Sequence, residues 1–177
     1  METVRAVLLL VCIMGLSAVG KTQSKPTNAE TPLSMEELKL YGDFLDTFLG
    51  THGESRPVGL SERTVPLILS PGDADGCLKG IEFKISKAAD QYPHSFPMSI
   101  TKARPVYLVD PSKKKITEMQ GGLLSLSEIG FDDDHRFAVI KFSLVQSGFL
   151  VRQGTRVFSK SNGKWTRTNR PCPEWFS

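Results

Sequence analysis

The chain has 177 residues, 40% of them hydrophobic and ten of them Phe, and a formal net charge of +3. That content is enough for one packed core of ordinary domain size and excludes a wholly disordered chain. The basic excess is too slight to point to nucleic acid, which calls for a concentrated basic stripe.

Residues 1–20 read as a cleavable signal peptide. Ala6 to Leu16 is an apolar run of signal-core length, short for a bilayer span, and Ser17-Ala18-Val19-Gly20 supplies the small residues a signal peptidase reads before Lys21. The alternative is a short membrane anchor; Val11 ahead of Cys12 argues against lipidation. The expected location is secreted or periplasmic, with no membrane span after cleavage. Cleavage also removes Cys12 and leaves Cys77 and Cys172 for one disulfide in an oxidising compartment. Such a bridge would close a loop of roughly 95 residues and contribute up to about 4–5 kcal/mol by the chain-entropy argument.

Residues 21–32 (KTQSKPTNAETP) form a polar, flexible arm, and 33–177 a single α+β domain. Ser34-Met35-Glu36-Glu37 matches a capping box, Leu38, Tyr41, Leu45, Phe48 and Leu49 follow at helical spacing, and Gly50 is placed to end the helix. Val65 to Leu69 predicts an edge strand, because Pro66 cannot donate to a ladder, and Ser70 to Gly76 predicts a loop. From Cys77 to Gln91 the pattern is ambiguous, with Ile81, Ile85, Ala88 and Ala89 on one helical face; the two prolines of Tyr92 to Pro97 would end it. Arg104 to Val109 predicts a strand closed by the turn Asp110 to Lys113. Leu123 to Phe131 and Phe137 to Val145 predict two strands across the turn Asp132 to His135, with Ala138, Ile140, Phe142 and Leu144 on one face. A connection from Gln146 to Gly154 leads to a strand from Thr155 to Ser159, and Asn162-Gly163 centres a tight hairpin that Trp165 closes. The expected fold is an antiparallel β-sheet meander packed by the N-terminal helix.

The helix around Tyr41, the segment Gly122 to Phe131, the strand Ala138-Val139-Ile140 and Gly163-Lys164-Trp165 resemble a family of uncharacterised exported bacterial proteins. The resemblance spans most of the mature chain and is strongest from Gly121 onward. It implies an exported domain without an assigned function. Where those proteins carry a Cys-Gly-Gly-Leu-Cys-Gly loop, this chain has Val145 to Arg152, so no thiol role is carried over.

Asp73, Asp75 and Glu82, around the turn residue Gly76, imitate part of a calcium loop, although Pro71 takes the first ligand position and Pro66 lies where an entering helix is needed. Asp132-Asp133-Asp134-His135 could hold a cation or supply an acid and base; a solvated hairpin turn is the simpler reading. His52, His94 and His135 are scattered without metal-ligand spacing, and no nucleophile elbow, phosphate loop or dinucleotide fingerprint is present, so no catalytic residue and no cofactor is assigned. The sharpest charge feature is Arg152, Arg156, Lys160, Lys164, Arg167 and Arg170 with no acid between them. Several would share one surface of a hairpin near Trp165, fit to hold an anion or an acidic partner protein; the plainer reading is a solvated face guarded against edge pairing. The function expected is therefore non-enzymatic binding, with a small secreted hydrolase of dispersed active site as the alternative.

Overall fold

Why the first helix starts where it does is visible in its cap. In the computed structural model, which describes residues 32–52, 57–85, 87, 91–146 and 150–177, the Glu37 amide donates to Ser34 Oγ at 3.2 Å and the Ser34 amide to Glu37 Oε2 at 2.7 Å. These reciprocal bonds satisfy two orphan donors at the start of α1 (Met35–His52). Gly50 does not terminate the helix, which runs on to His52. Leu40, Tyr41, Phe44, Leu45 and Phe48 are buried along one side of it. The leader and the arm through residue 31 lie outside the described residues, as do Ala88 and Ala89 of the ambiguous segment.

The sheet is mixed. Its strands are β1 (Val58–Ser61), β2 (Val106–Val109), β3 (Leu123–Leu126), β4 (Gly130–Phe131), β5 (Phe137–Gln146), β6 (Leu150–Ser161), β7 (Lys164–Arg167) and β8 (Glu174–Phe176). They run in the order β2-β1-β3-β5-β6-β7, with β4 also on β5 and β8 also on β6. β1 is parallel to both β2 and β3, so the expected antiparallel meander holds only from β3 onward. Parallel neighbours need long crossovers, and residues 62–105, between β1 and β2, provide one.

Local chemistry explains the other departures. Val65 to Leu69 is no edge strand: only Val65 bridges, to Ser127, while the Gln91 side-chain amide accepts from Leu67 N at 2.7 Å and donates to Leu67 O at 3.1 Å in place of a strand neighbour. Ser70 to Gly76 contains a short helix, α2 (Pro71–Asp75), capped by a reciprocal Ser70–Asp73 box with Pro71 in its first turn. The segment Leu123 to Phe131 is broken into β3 and β4 at Ser127. There the carbonyl turns away to accept from Tyr41 Oη at 2.8 Å, while the Ser127 hydroxyl takes the Lys141 amide at 2.9 Å. β6 begins at Leu150 rather than at Thr155, and residues 147–149 of the expected connection lie outside the described residues. Its hairpin to β7 turns at Asn162 and Gly163 with φ of 52° and 72°, the left-handed pair that a two-residue turn requires.

Two apolar layers flank the sheet. On one side α1 packs against Leu60, Leu124, Leu126, Ala138, Ile140, Phe142, Leu144 and Phe158, which uses the face of β5 expected from its alternation. On the other, Leu67, Cys77 and Leu78 cover Val139 and Val157. Cys77 is disulfide-bonded to Cys172, 95 residues along, with Cα atoms 4.7 Å apart. The bridge ties the turn after α2 to the chain's last segment, as the cysteine count leads one to expect.

Candidate functional site: an arginine cleft under the terminal strand

Side chains alternate along a strand, so Arg152, Gly154, Arg156, Phe158 and Lys160 of β6 share the face toward α1. Cross-strand register brings Arg167 of β7 opposite Phe158 and Trp165 opposite Lys160, onto the same face. Lys164 pairs with Ser161 and falls on the other face, exposed to water. Arg170 is not on that face: its Nη1 donates to the carbonyls of Cys77 and Lys79 at 3.1 and 2.9 Å, and its guanidinium lies over the Phe137 ring. The structure thus brings together four of the six predicted cations and separates two.

Those four are not equivalent. Lys160 Nζ donates to Glu36 Oε1 at 2.6 Å, and Trp165 Nε1 donates to the same oxygen at 2.8 Å. The hydrogen bonds from Lys160 and then Trp165 hold the Glu36 carboxyl below its ordinary pKa, so this cation fastens the start of α1 to β6 and β7. Arg152 and Arg156 form a fork. Arg152 Nε and Nη2 donate to Glu174 Oε2 at 2.9 and 2.6 Å, and Arg156 Nη2 donates to Glu174 Oε1. Both guanidiniums also stack on aromatic rings. Arg156 lies 4.9 Å from the Phe142 centroid, and Arg152 sits 5.5 Å from those of Phe48 and Phe176.

Glu174 is the residue sequence reasoning missed, because it lies beyond the acid-free run and on a strand of three residues. It reaches the fork through β8, which pairs antiparallel with β6 so that Glu174 faces Gly154, Trp175 faces Gln153 and Phe176 faces Arg152. Glycine at 154 is a steric requirement: a Cβ there would stand 2.9 Å from the Phe142 ring and 3.0 Å from Glu174 Cγ. Burial alone would raise the Glu174 carboxyl, but hydrogen bonds from Arg156 and Arg152 outweigh it and the pKa is lowered. Burial lowers the Arg156 pKa in turn, against the opposing pull of Glu174.

Between β7 and β8, where neither of them pairs with residues 155–157 of β6 and the Val157 carbonyl accepts from the Thr168 amide at 2.8 Å, lies an open cleft of about 290 Å³. Its walls include Arg156, Arg167, Arg170, Thr168 and Asn169, and Glu174 is the one acid among its lining residues. At this gap Arg156 Nη1 donates at 3.0 Å to the carbonyl of its neighbour Thr155. Arg167 is exposed and, among the described residues, has no ion-pair partner. The cleft therefore presents a cation surplus with hydrogen-bond donors arranged around a space that admits a carboxylate or a phosphate.

The remaining polar clusters are closed. Asp73 is 3% exposed, and its carboxylate accepts from the Ser70 amide and hydroxyl, from Thr155 Oγ1 at 2.6 Å and from Lys141 Nζ at 2.9 Å. Burial would raise this carboxyl, yet those bonds, led by the one from Ser70, hold it at about 2. Asp73 thus faces β6, and no group of three potential metal ligands occurs among the described residues. In the Asp132 to His135 turn, Asp132 Oδ1 accepts from the amides of Arg136 and Phe137, Asp133 pairs with Lys84 and Asp134 with Arg136, while His135 stacks on Phe131. His94 Nδ1 lies 2.7 Å from Glu128 Oε2, with Thr64 donating to the other oxygen. The Thr64 hydroxyl also accepts from the His94 amide and the Ser127 hydroxyl donates to a carbonyl, so these hydroxyls tie segments together.

No protein-family model, no curated protein and no solved structure matches the chain. Among the described residues no helix is long and apolar enough to cross a membrane.

Proposed function

We propose that this is a secreted or periplasmic, non-enzymatic binding domain whose cleft takes an acidic segment of a partner protein. The observation that carries the reading is Arg167, a cation without a counter-ion among the described residues, at the rim of a cleft that also holds Arg156 and Arg170. An exposed guanidinium backed by others suits carboxylate recognition, because its planar fork loses little freedom on binding. The paired Cys77 and Cys172 support an oxidising compartment, and the likeness to exported bacterial proteins belongs to the same proposal. The hydrolase alternative has less support, since Glu128 beside His94 is engaged by Thr64 and by the His94 amide.

Calorimetric titration with a glutamate hexapeptide tests the reading. Binding should weaken as salt rises and fall at least about tenfold for Arg167→Glu, the scale of one charge-assisted pair made repulsive. Unchanged affinity in that variant would remove the cleft from consideration.

A further inference from the structure

Glu174 is already an acidic side chain bound to this face, and it is delivered by an extended strand. The holding force on that strand is modest. β8 contributes three register pairs with β6, and its large side chains gain little burial, Trp175 being 71% and Phe176 65% exposed. The chain continues it at Ser177, which exchanges backbone hydrogen bonds with Val151. What keeps the strand in place is the Glu174 fork and the disulfide at Cys172, which leaves Pro173 as the only residue between tether and strand. A strand so short and so exposed is positioned to exchange with another.

Resting on the reading of the cleft as an acidic-ligand site, we infer that β8 is an intramolecular stand-in for the partner. The natural occupant is an extended acidic peptide that displaces β8, pairs along β6, sets a carboxylate between Arg152 and Arg156 over Gly154, and extends toward Arg167. Charge complementarity sets the occupant: with Glu174 withdrawn, Arg152, Arg156 and Arg167 face the site together. Backbone pairing supplies affinity and the arginine fork supplies the choice of an acid at the position opposite Gly154. The tether through Cys172 keeps the displaced strand at high local concentration, so the tail acts as a competitor that a partner must exceed.

The test uses the full chain with its disulfide intact and the labelled peptide Pro-Glu-Trp-Phe-Ser, a copy of residues 173–177. Val151 and Ser177 form a hydrogen-bonded pair, and two positions along Gln153 and Trp175 form the next, so Trp175→Pro removes a ladder donor and unseats β8 without touching an arginine. The variant should bind the peptide at least about tenfold more tightly than the unaltered chain, as expected when a tethered competitor is removed. Pro-Gln-Trp-Phe-Ser should bind neither. Should Trp175→Pro fail to fold, Glu174→Gln serves in the same comparison. Equal affinity in variant and unaltered chain, or no binding to either, overturns the exchange. The glutamate hexapeptide separates the two ideas: if it still binds and Arg167→Glu still weakens that binding at least about tenfold, the cleft reading stands while the stand-in role of β8 falls.

Discussion

Asp73 and Glu174 are both carboxylates that pair with a cation and bond to β6, and they differ in everything that decides whether such a site can open. Asp73 arrives on a capped helix next to the disulfide, is 3% exposed, and is gripped by Ser70, Thr155 and Lys141 on the far face of the sheet. Glu174 arrives on a three-residue terminal strand, keeps 22% of its side chain exposed, and borders an open cleft with a cation to spare. A buried ion pair surrounded by further donors fastens segments together; the same pair beside solvent, on an element with little apolar burial, can be traded for a similar group.

The largest effect is expected from replacing Cys77 and Cys172 by Ala together, which should cost about 4 kcal/mol in urea denaturation, because the closed loop of 95 residues is released. It should also loosen β8 far more than α2, seen as faster amide exchange at Trp175 than at Ala74. Next comes Asp73→Asn, at about 3 kcal/mol, since Lys141 and Thr155 lose a charged acceptor in a buried setting. The Asp73 pKa is depressed to about 2 from an ordinary 3.8, so its contribution is complete above about pH 4 and disappears as pH falls through 2. Integrated over that window it amounts to about 2 kcal/mol. Acid titration of stability should therefore be flatter in Asp73→Asn than in the unaltered chain.

Glu174→Gln should cost about 2 kcal/mol, less than Asp73→Asn because the fork is partly exposed and the amide oxygen can still accept, while raising affinity for acidic peptides. A loss as large as that of Asp73→Asn would show the two sites to be alike. Smallest of all is Lys164→Ala, exposed and on the face away from the cleft: stability within about 0.5 kcal/mol and peptide binding unchanged.

The sequence signals that proved readable were local. The Ser34 capping box, the Asn162-Gly163 turn and the alternation of Ala138 to Leu144 each state their structure within a few residues. What was hidden depended on groups far apart in the chain. Tyr41 breaks β3 from β4 by drawing off the Ser127 carbonyl, and Gln91 takes the place of a strand beside Leu67; neither pairing has a sequence pattern. The parallel placement of β1 follows from long crossovers, which leave no periodic trace. The basic run from Arg152 to Arg170 was legible as charge, but its division was not. Lys160 is claimed by Glu36, Arg170 by two carbonyls, and Arg152 with Arg156 by Glu174. The clue available was Cys172, which anchors the tail and so favours an ordered Glu174-Trp175-Phe176 strand after it.

The most direct test of the arginine cleft is to label the arginine side chains with nitrogen-15 and follow their Nε–Hε signals while the glutamate hexapeptide is added. The signals of Arg156, Arg167 and Arg170 should move together and saturate, with Arg136 and Arg63 unmoved. Movement confined to residues outside the cleft, or none at any arginine, would contradict the cleft reading.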